Sequence, residues 1–141
     1  MLYGEFKHTI DKKGRMFIPA KLRDDLGSSF VICRGIDGNR CLCIYSEEEW
    51  KRLDERVRAL PAVKSGRLQR FLYAGAVKSE CDAQGRVLIP QNLREYADMG
   101  EEVYVLGMSA RLEIWNKERW EAEAVLDTPE SIGEITAGLE L

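Results

Sequence analysis

A ten-residue motif that occurs twice constrains the fold of this chain more than any other feature. Residues 10–19 read Ile-Asp-Lys-Lys-Gly-Arg-Met-Phe-Ile-Pro, and residues 81–90 read Cys-Asp-Ala-Gln-Gly-Arg-Val-Leu-Ile-Pro. Both copies share Asp-x-x-Gly-Arg, three apolar residues and a proline, and they lie 71 residues apart. Self-similarity at a fixed spacing predicts two copies of one structural unit.

The similarity between the two halves extends beyond the motif. Leu22-Arg23 matches Leu93-Arg94 at the same offset, and Trp50 matches Trp120 after a drift of one residue. Two repeats are too few for an open solenoid, which needs about three. We therefore expect a pseudo-symmetric pair of modules at residues 3–58 and 74–126, with a linker helix at 59–73 and a tail helix at 127–141.

The local patterns predict an α+β fold that is mainly β. Each motif copy is predicted to form a hairpin whose turn is Asp-x-x-Gly, because Asp can bond the backbone ahead of it and Gly allows a positive φ. The motif proline then opens a short helix, since the first helical position needs no donor. Two more strands follow in each half, and Ser46 and Asn116 are predicted to cap the next helices.

The composition is that of a soluble globular protein with one core. The chain has 141 residues, of which 45% are hydrophobic and 32% are charged. It has no apolar run near the ~18–20 residues of a membrane span, and residues 1–6 lack the features of a signal peptide. We expect a cytoplasmic protein that does not insert into a membrane.

The net charge of −3 argues against a nucleic acid as partner, but the distribution of charge favours one. Residues 5–23 carry six cations against two acids, whereas residues 117–141 carry two cations against seven acids. Screening limits the reach of the distant acids to about 8 Å at physiological salt, so a basic patch can still bind a polyanion. The six cations are Lys7, Lys12, Lys13, Arg15, Lys21 and Arg23.

The four cysteines are predicted to be buried, reduced thiols rather than a metal site. Cys41 and Cys43 are two residues apart and so lie on one face of a strand. Zinc sites prefer Cys-x-x-Cys spacing with further Cys or His ligands, and His8 is the only histidine. We expect neither a metal nor a cofactor.

These residues together resemble the MraZ family, whose members are built from two AbrB-type modules. The resemblance covers nearly the whole chain and rests on residues 3–19, on Arg-Leu-Gln-Arg-Phe at 67–71, and on residues 82–90. It implies two tandem swapped-hairpin barrel modules packed as a pseudo-dimer with flanking helices. One Asp-x-x-Gly-Arg alone is a weak signal, but two copies at this spacing are specific.

The resemblance also implies a function. Members of the family are nucleoid-associated regulators of transcription that bind short direct repeats in double-stranded DNA. The repeats lie upstream of the division and cell-wall gene cluster that the regulator heads, so that it controls its own expression, and the proteins assemble as rings. Carried over to this chain, the DNA-facing residues are Arg15 and Arg86 with Lys12 and Lys13, and we add Lys7 from the basic patch. The second copy has Ala83 and Gln84 in place of the two loop lysines, which argues against equal roles for the modules.

A purely structural role for the motif remains open beside the DNA role. Each arginine lies four residues after its aspartate, across a turn, and could hold that turn in place. A residue that the fold of the module requires would be duplicated together with the module. We favour DNA contact for the arginines, mainly because of the resemblance. The residues assigned a structural role are Asp11, Gly14, Asp82 and Gly85.

Other classes of function fit the sequence less well. An enzyme is least favoured, because the chain has no recurring nucleophile–base pair and no phosphate-binding glycine loop. AbrB-like antitoxins are short single modules, whereas this chain has two ordered halves. An inhibitor or scaffold that acts through a protein partner is the main alternative, since the acidic tail allows it.

Overall fold

The computed structural model describes residues 1–140, which form eight strands and six helices. The order β-β-α-β-β-α occurs twice, separated by one helix and followed by another. The α+β class with mostly antiparallel strands is thereby confirmed. The strands are β1 (Leu2–Thr9), β2 (Arg15–Phe17), β3 (Ser29–Arg34), β4 (Leu42–Ser46), β5 (Val77–Glu80), β6 (Arg86–Leu88), β7 (Glu102–Ser109) and β8 (Leu112–Asn116). The helices are α1 (Ala20–Leu26), α2 (Glu47–Arg58), α3 (Ala62–Ala74), α4 (Gln91–Tyr96), α5 (Lys117–Ala124) and α6 (Pro129–Thr136).

The two halves interlock through a six-stranded antiparallel sheet of order β1-β7-β8-β4-β3-β5. The central β4–β8 pair joins the halves, with Cys43 opposite Glu113. The first strand of each half leaves its own module: β1 pairs with β7 of the second half, and β5 pairs with β3 of the first. Each half therefore completes the sheet of the other.

The prediction of two local hairpins is wrong, although the predicted turns are present. β2 pairs with β6 in a separate two-stranded sheet rather than with β1. Met16 of β2 lies opposite Val87 of β6, and each side chain is 1% exposed. The apolar side of each short strand is thus buried by its counterpart from the other half, which is the swapped arrangement that the family resemblance implies.

The core lies on both faces of the large sheet. On one face, residues such as Ile32, Leu42 and Ile114 pack around β2 and β6. On the other face, the next residues along the same strands, such as Cys33 and Cys43, pack under the helices. Because the central strands are buried on both faces, they read in the sequence as apolar runs without alternation.

The flanking helices begin at caps, as predicted. The Ser46 hydroxyl accepts from the backbone N–H of Glu49 at 3.2 Å, and the Asn116 side chain accepts from that of Arg119 at 2.9 Å. The reciprocal half of a capping box is missing at Ser46, because the Glu49 carboxylate pairs with Arg52. None of the helices within residues 1–140 is long and apolar enough to cross a membrane.

The tail helix α6 begins at Thr128, where a reciprocal capping box with Ser131 is present. Three apolar side chains of this tail remain exposed: Ile132, Ile135 and Leu139. They form an unpaired apolar strip on an otherwise acidic segment. The last residue of the predicted tail segment 127–141, Leu141, lies outside the described residues.

Candidate nucleic-acid interface

The first Asp-x-x-Gly-Arg loop is held by its aspartate. One carboxylate oxygen of Asp11 accepts from the backbone N–H groups of Lys13 and Arg15, each at 2.9 Å. The other oxygen accepts from Nε of Arg15 at 2.9 Å. Gly14 closes the turn at φ +88°, in the left-handed region that favours glycine. Asp11 thus supplies the acceptors of the turn, and Gly14 supplies its positive φ.

The second loop repeats this geometry. The Asp82 carboxylate accepts from the backbone N–H groups of Gln84 and Arg86 and from Nε of Arg86, each at 2.9 Å. Gly85 has φ +82°. The backbone N–H groups of the third and fifth motif residues make these bonds, so Gln84 serves as well as Lys13. The lysines of the first loop are not needed for its fold.

Both aspartates are held in the charged form. Hydrogen bonds from the backbone of the loop arginine, followed by the side-chain bond, lower the pKa of Asp11 and of Asp82 from the ordinary value of 3.8. A carboxyl group with a lowered pKa in the folded state stabilises the fold at pH values above 3.8. That contribution is lost as the pH falls through the folded-state pKa.

The two loops flank the two ends of the short β2–β6 ladder. The backbone N–H of Ile18 donates to the carbonyl of Gly85 at 3.1 Å, and that of Ile89 donates to Gly14 at 2.8 Å. Between these bonds, Arg15 lies opposite Leu88 and Phe17 lies opposite Arg86 in the β2–β6 ladder. The loops and this short ladder form a single surface, which we call the paired-loop face.

Each loop arginine bonds to its own loop through one part of its guanidinium group, and the other part is open to a partner. The Arg15 side chain is 33% exposed and that of Arg86 is 24% exposed. Over residues 1–140, each makes its side-chain hydrogen bonds through Nε alone, which leaves both terminal nitrogens without a protein partner. A guanidinium fixed at Nε and open at its terminal nitrogens can donate a pair of bonds to one planar acceptor.

The structure places the predicted lysines in two different settings. Lys12 and Lys13 occupy the exposed tip of the first loop, beside Arg15. Lys7 instead lies on β1, opposite Tyr104, and its ammonium pairs with Glu102 at 3.4 Å. Lys7 is therefore apart from the loops, with its charge partly compensated.

Sequence reasoning missed two arginines that pack on the loops of the opposite half. A side chain at Gly14 would bring its Cβ within 2.8 Å of Cζ of Arg94, and one at Gly85 would come equally close to Cζ of Arg23. Nε of Arg94 also donates to the carbonyl of Ile89 at 2.9 Å. The signal was available, because Arg23 and Arg94 recur at one offset in the repeat, but their contact crosses between the halves.

Two exposed apolar residues on the paired-loop face were also missed. Phe17 is 51% exposed and Leu88 is 54% exposed, while their neighbours along the strands, Met16 and Val87, are buried. The alternation of a strand places Phe17 on the same side as Arg15. The solvent side of the ladder thus carries two arginines and two apolar side chains, a combination suited to contact with a partner.

Comparison with known proteins identifies the chain's relatives. A family model described as "MraZ protein, putative antitoxin-like" matches residues 1–70 and again residues 72–131. A protein of Heliobacterium modesticaldum named "Transcriptional regulator MraZ" is 49% identical, over 85% of this chain and 84% of the relative. A protein of the same name from a Thermoanaerobacter species is 48% identical, over 99% of this chain and 97% of the relative. The two matches of the family model and the identity along nearly the full length show that the chain belongs to the MraZ family.

Proposed function

We propose that this protein is a sequence-specific transcriptional regulator that binds double-stranded DNA through the paired-loop face. The observation that carries the proposal is the pair of open guanidinium groups, Arg15 and Arg86, which are held in matching geometry on adjacent strands. The name shared by the relatives supports a role in the regulation of transcription. No enzymatic activity, cofactor or small-molecule substrate is part of the proposal.

The side chains of the paired-loop face suit different kinds of contact with DNA. Lys12 and Lys13, exposed at a loop tip, suit contact with phosphates, which fixes position without reading sequence. Arg15 and Arg86 suit bidentate contact with guanine in the major groove. An apolar side chain such as Phe17 can pack on the methyl group of thymine.

We further propose that the protein acts as a ring-shaped homo-oligomer on direct repeats. A single chain offers few free cations, so it binds DNA weakly at physiological salt. Several linked copies on one DNA can raise avidity by about 10²–10⁴. A head-to-tail assembly presents its faces in one orientation, as direct repeats require, and the exposed apolar strip on the tail is available for such contacts.

The proposed target is the promoter of the bacterial division and cell-wall gene cluster, which the protein represses together with its own expression. This places it in the cytoplasm, associated with the nucleoid. Occupation of successive repeats by one ring would block access of RNA polymerase to the promoter.

Gel-shift titration against the DNA upstream of the protein's own gene tests the proposal. The variants are Arg15→Ala and Arg86→Ala, with Arg52→Ala as a matched control whose guanidinium pairs with Glu48 on α2 at 2.7 Å. We expect the loop variants to bind about 5- to 150-fold more weakly, since a good bidentate contact is worth about 1–3 kcal/mol. The Arg52 variant should bind like the wild type.

Equal binding by all three variants, each shown to be folded, would contradict the DNA-contact role of the loops. The loop arginines would then be structural clamps only. The second candidate function, inhibition or scaffolding through a protein partner, would become the better one, and the acidic tail with its exposed Ile135 favours it.

A further inference from the structure

Three potential metal ligands from the two halves meet beneath the helices. Cys41, Cys43 and Glu113 are 0%, 2% and 3% exposed. Their sulfur and carboxylate atoms all lie within 4.8 Å of one another. The sequence separates Glu113 from the cysteines by seventy residues, and only the β4–β8 pairing places it opposite Cys43.

The backbone around the cysteines leaves this cluster no room for another side chain. Gly35 donates its backbone N–H to the carbonyl of Cys41 at 2.9 Å. A Cβ at position 35 would lie 2.8 Å from Sγ of Cys41. Glycine at this position therefore allows the thiol to lie against the backbone and points it toward Cys43.

The Glu113 carboxylate is held in place by hydrogen bonds from two neighbouring side chains. One oxygen of Glu113 accepts from the indole N–H of Trp115 at 2.9 Å, and the other accepts from the Arg111 guanidinium at 2.9 Å and 3.2 Å. Carboxylates that ligate metals are commonly held by such outer hydrogen bonds. The Arg111 charge balances that of Glu113, so two thiolates and one divalent cation would complete a neutral site.

We propose that Cys41, Cys43 and Glu113 form a site for a thiophilic divalent cation, Zn²⁺, at the seam between the two halves. Tetrahedral zinc with thiolate ligands at about 2.3 Å needs sulfur atoms about 3.8 Å apart. The ligand atoms of the three residues here lie within 4.8 Å of one another. Three protein ligands leave one position for a water molecule.

A surface cavity borders the site at Cys43. It has a volume of about 350 Å³ and is lined by Asp37, Arg52 and Arg111 among others. The hydrogen bond between the two thiols, followed by burial, raises the pKa of Cys41. The spacing of the cysteines alone argued against zinc, and Glu113 is the ligand that the sequence could not reveal.

Titration of the reduced, chelator-treated full-length protein with Cd²⁺, followed by competition with Zn²⁺, tests the proposal. Cd²⁺ reports thiolate ligation through an ultraviolet charge-transfer band. We expect one ion per chain, and at least about tenfold weaker binding in Cys41→Ser, Cys43→Ser and Glu113→Gln. Thermal unfolding should move to higher temperature with Zn²⁺ in the wild type and not in these variants, because an ion that binds only the folded state stabilises it.

Two other thiols provide matched controls. Cys33 is a buried thiol of the same core cluster that lies outside the three-ligand group, and Cys81 is a partly exposed thiol far along the chain. Cys33→Ser and Cys81→Ser should keep the band and the zinc-induced shift. The proposal is overturned by the absence of the band in the wild type, by a band that follows Cys33 or Cys81, or by unchanged binding in Glu113→Gln. Unfolding of each variant without metal shows separately whether the substitution itself disturbs the fold.

Discussion

Asp11 is the residue on which the first loop depends, because three hydrogen bonds converge on its carboxylate. Asparagine can replace the oxygen that faces the backbone, but its amide nitrogen cannot accept from Arg15. We expect Asp11→Asn to lower the thermal midpoint at neutral pH and to weaken DNA binding by releasing the guanidinium. Asp24→Asn, at an exposed position outside the loop, is the control.

The effect of Asp11→Asn should depend on pH in a defined direction. The pKa of Asp11 is lowered in the folded protein, so its stabilisation is complete above 3.8 and is lost as the pH falls below that value. The difference in midpoint between the wild type and the variant should therefore shrink in thermal scans taken from pH 6 to pH 3. A constant difference over that range would mean that the charge of Asp11 does not stabilise the loop.

Replacement of Gly14 by alanine would cost stability in two ways, through the positive φ and through a close neighbour. The two free-energy costs can be measured separately. Alanine at φ +88° costs about 1–2 kcal/mol in any setting. At Gly14 the new Cβ must also displace the Arg94 guanidinium and its bond to Ile89, which adds about 1 kcal/mol. Gly38 has a similar φ, +91°, with no atom within 4 Å of the Cβ position, so Gly38→Ala reports the backbone cost alone.

Urea denaturation of both glycine variants measures the difference. We expect Gly14→Ala to lose more stability than Gly38→Ala, by roughly the worth of one hydrogen bond. Equal losses would mean that Arg94 moves aside freely and does not brace the loop.

At the level of strands, the attachment of β1 depends on one glycine of its partner. Gly107 lies opposite Gly4, and a Cβ at position 107 would overlap the backbone of Tyr3. We expect Gly107→Ala to weaken the β1–β7 pairing and to raise hydrogen exchange at the amides of β1. Gly100→Ala is the control, since nothing lies within 4 Å of its Cβ position. Unchanged exchange in the Gly107 variant would show that β1 shifts to accept the side chain.

The sequence predicted where helices begin better than it predicted which strands pair. α1 begins directly after the motif proline, as predicted, because that signal lies beside the helix. α3 spans Ala62–Ala74, a few residues later than the predicted start of the linker helix at 59. The pairing of β1 with β7 joins residues about a hundred positions apart, and no local pattern records it. For the same reason the Asp11–Arg15 contact was foreseeable, whereas the contacts of Arg23 and Arg94 with the opposite loops were not.

For the molecule as a whole, the two loops should contribute unequally to DNA affinity. Replacement of Lys12 by Ala and Lys13 by Gln gives the first loop the composition of the second, and the backbone bonds of the turn remain. The slope of log affinity against log salt should become shallower by about 0.9 for each phosphate that the variant no longer neutralises. The reverse exchange, Ala83→Lys with Gln84→Lys, should steepen it. Salt slopes that do not respond to either exchange would place the phosphate-binding residues elsewhere.

The division into modules at 3–58 and 74–126 stays a prediction. The exchange of strands between the halves shows how far such modules would depend on each other. Neither half on its own would possess the six-stranded sheet, because each would lack the strand that the other half supplies. A single module with this exchange of strands would complete its sheet only as a homodimer, whose folding depends on its concentration. In this chain both modules lie in one polypeptide, so dilution cannot separate the halves. The two modules need not be identical in such a chain, and only the first loop carries the pair of lysines.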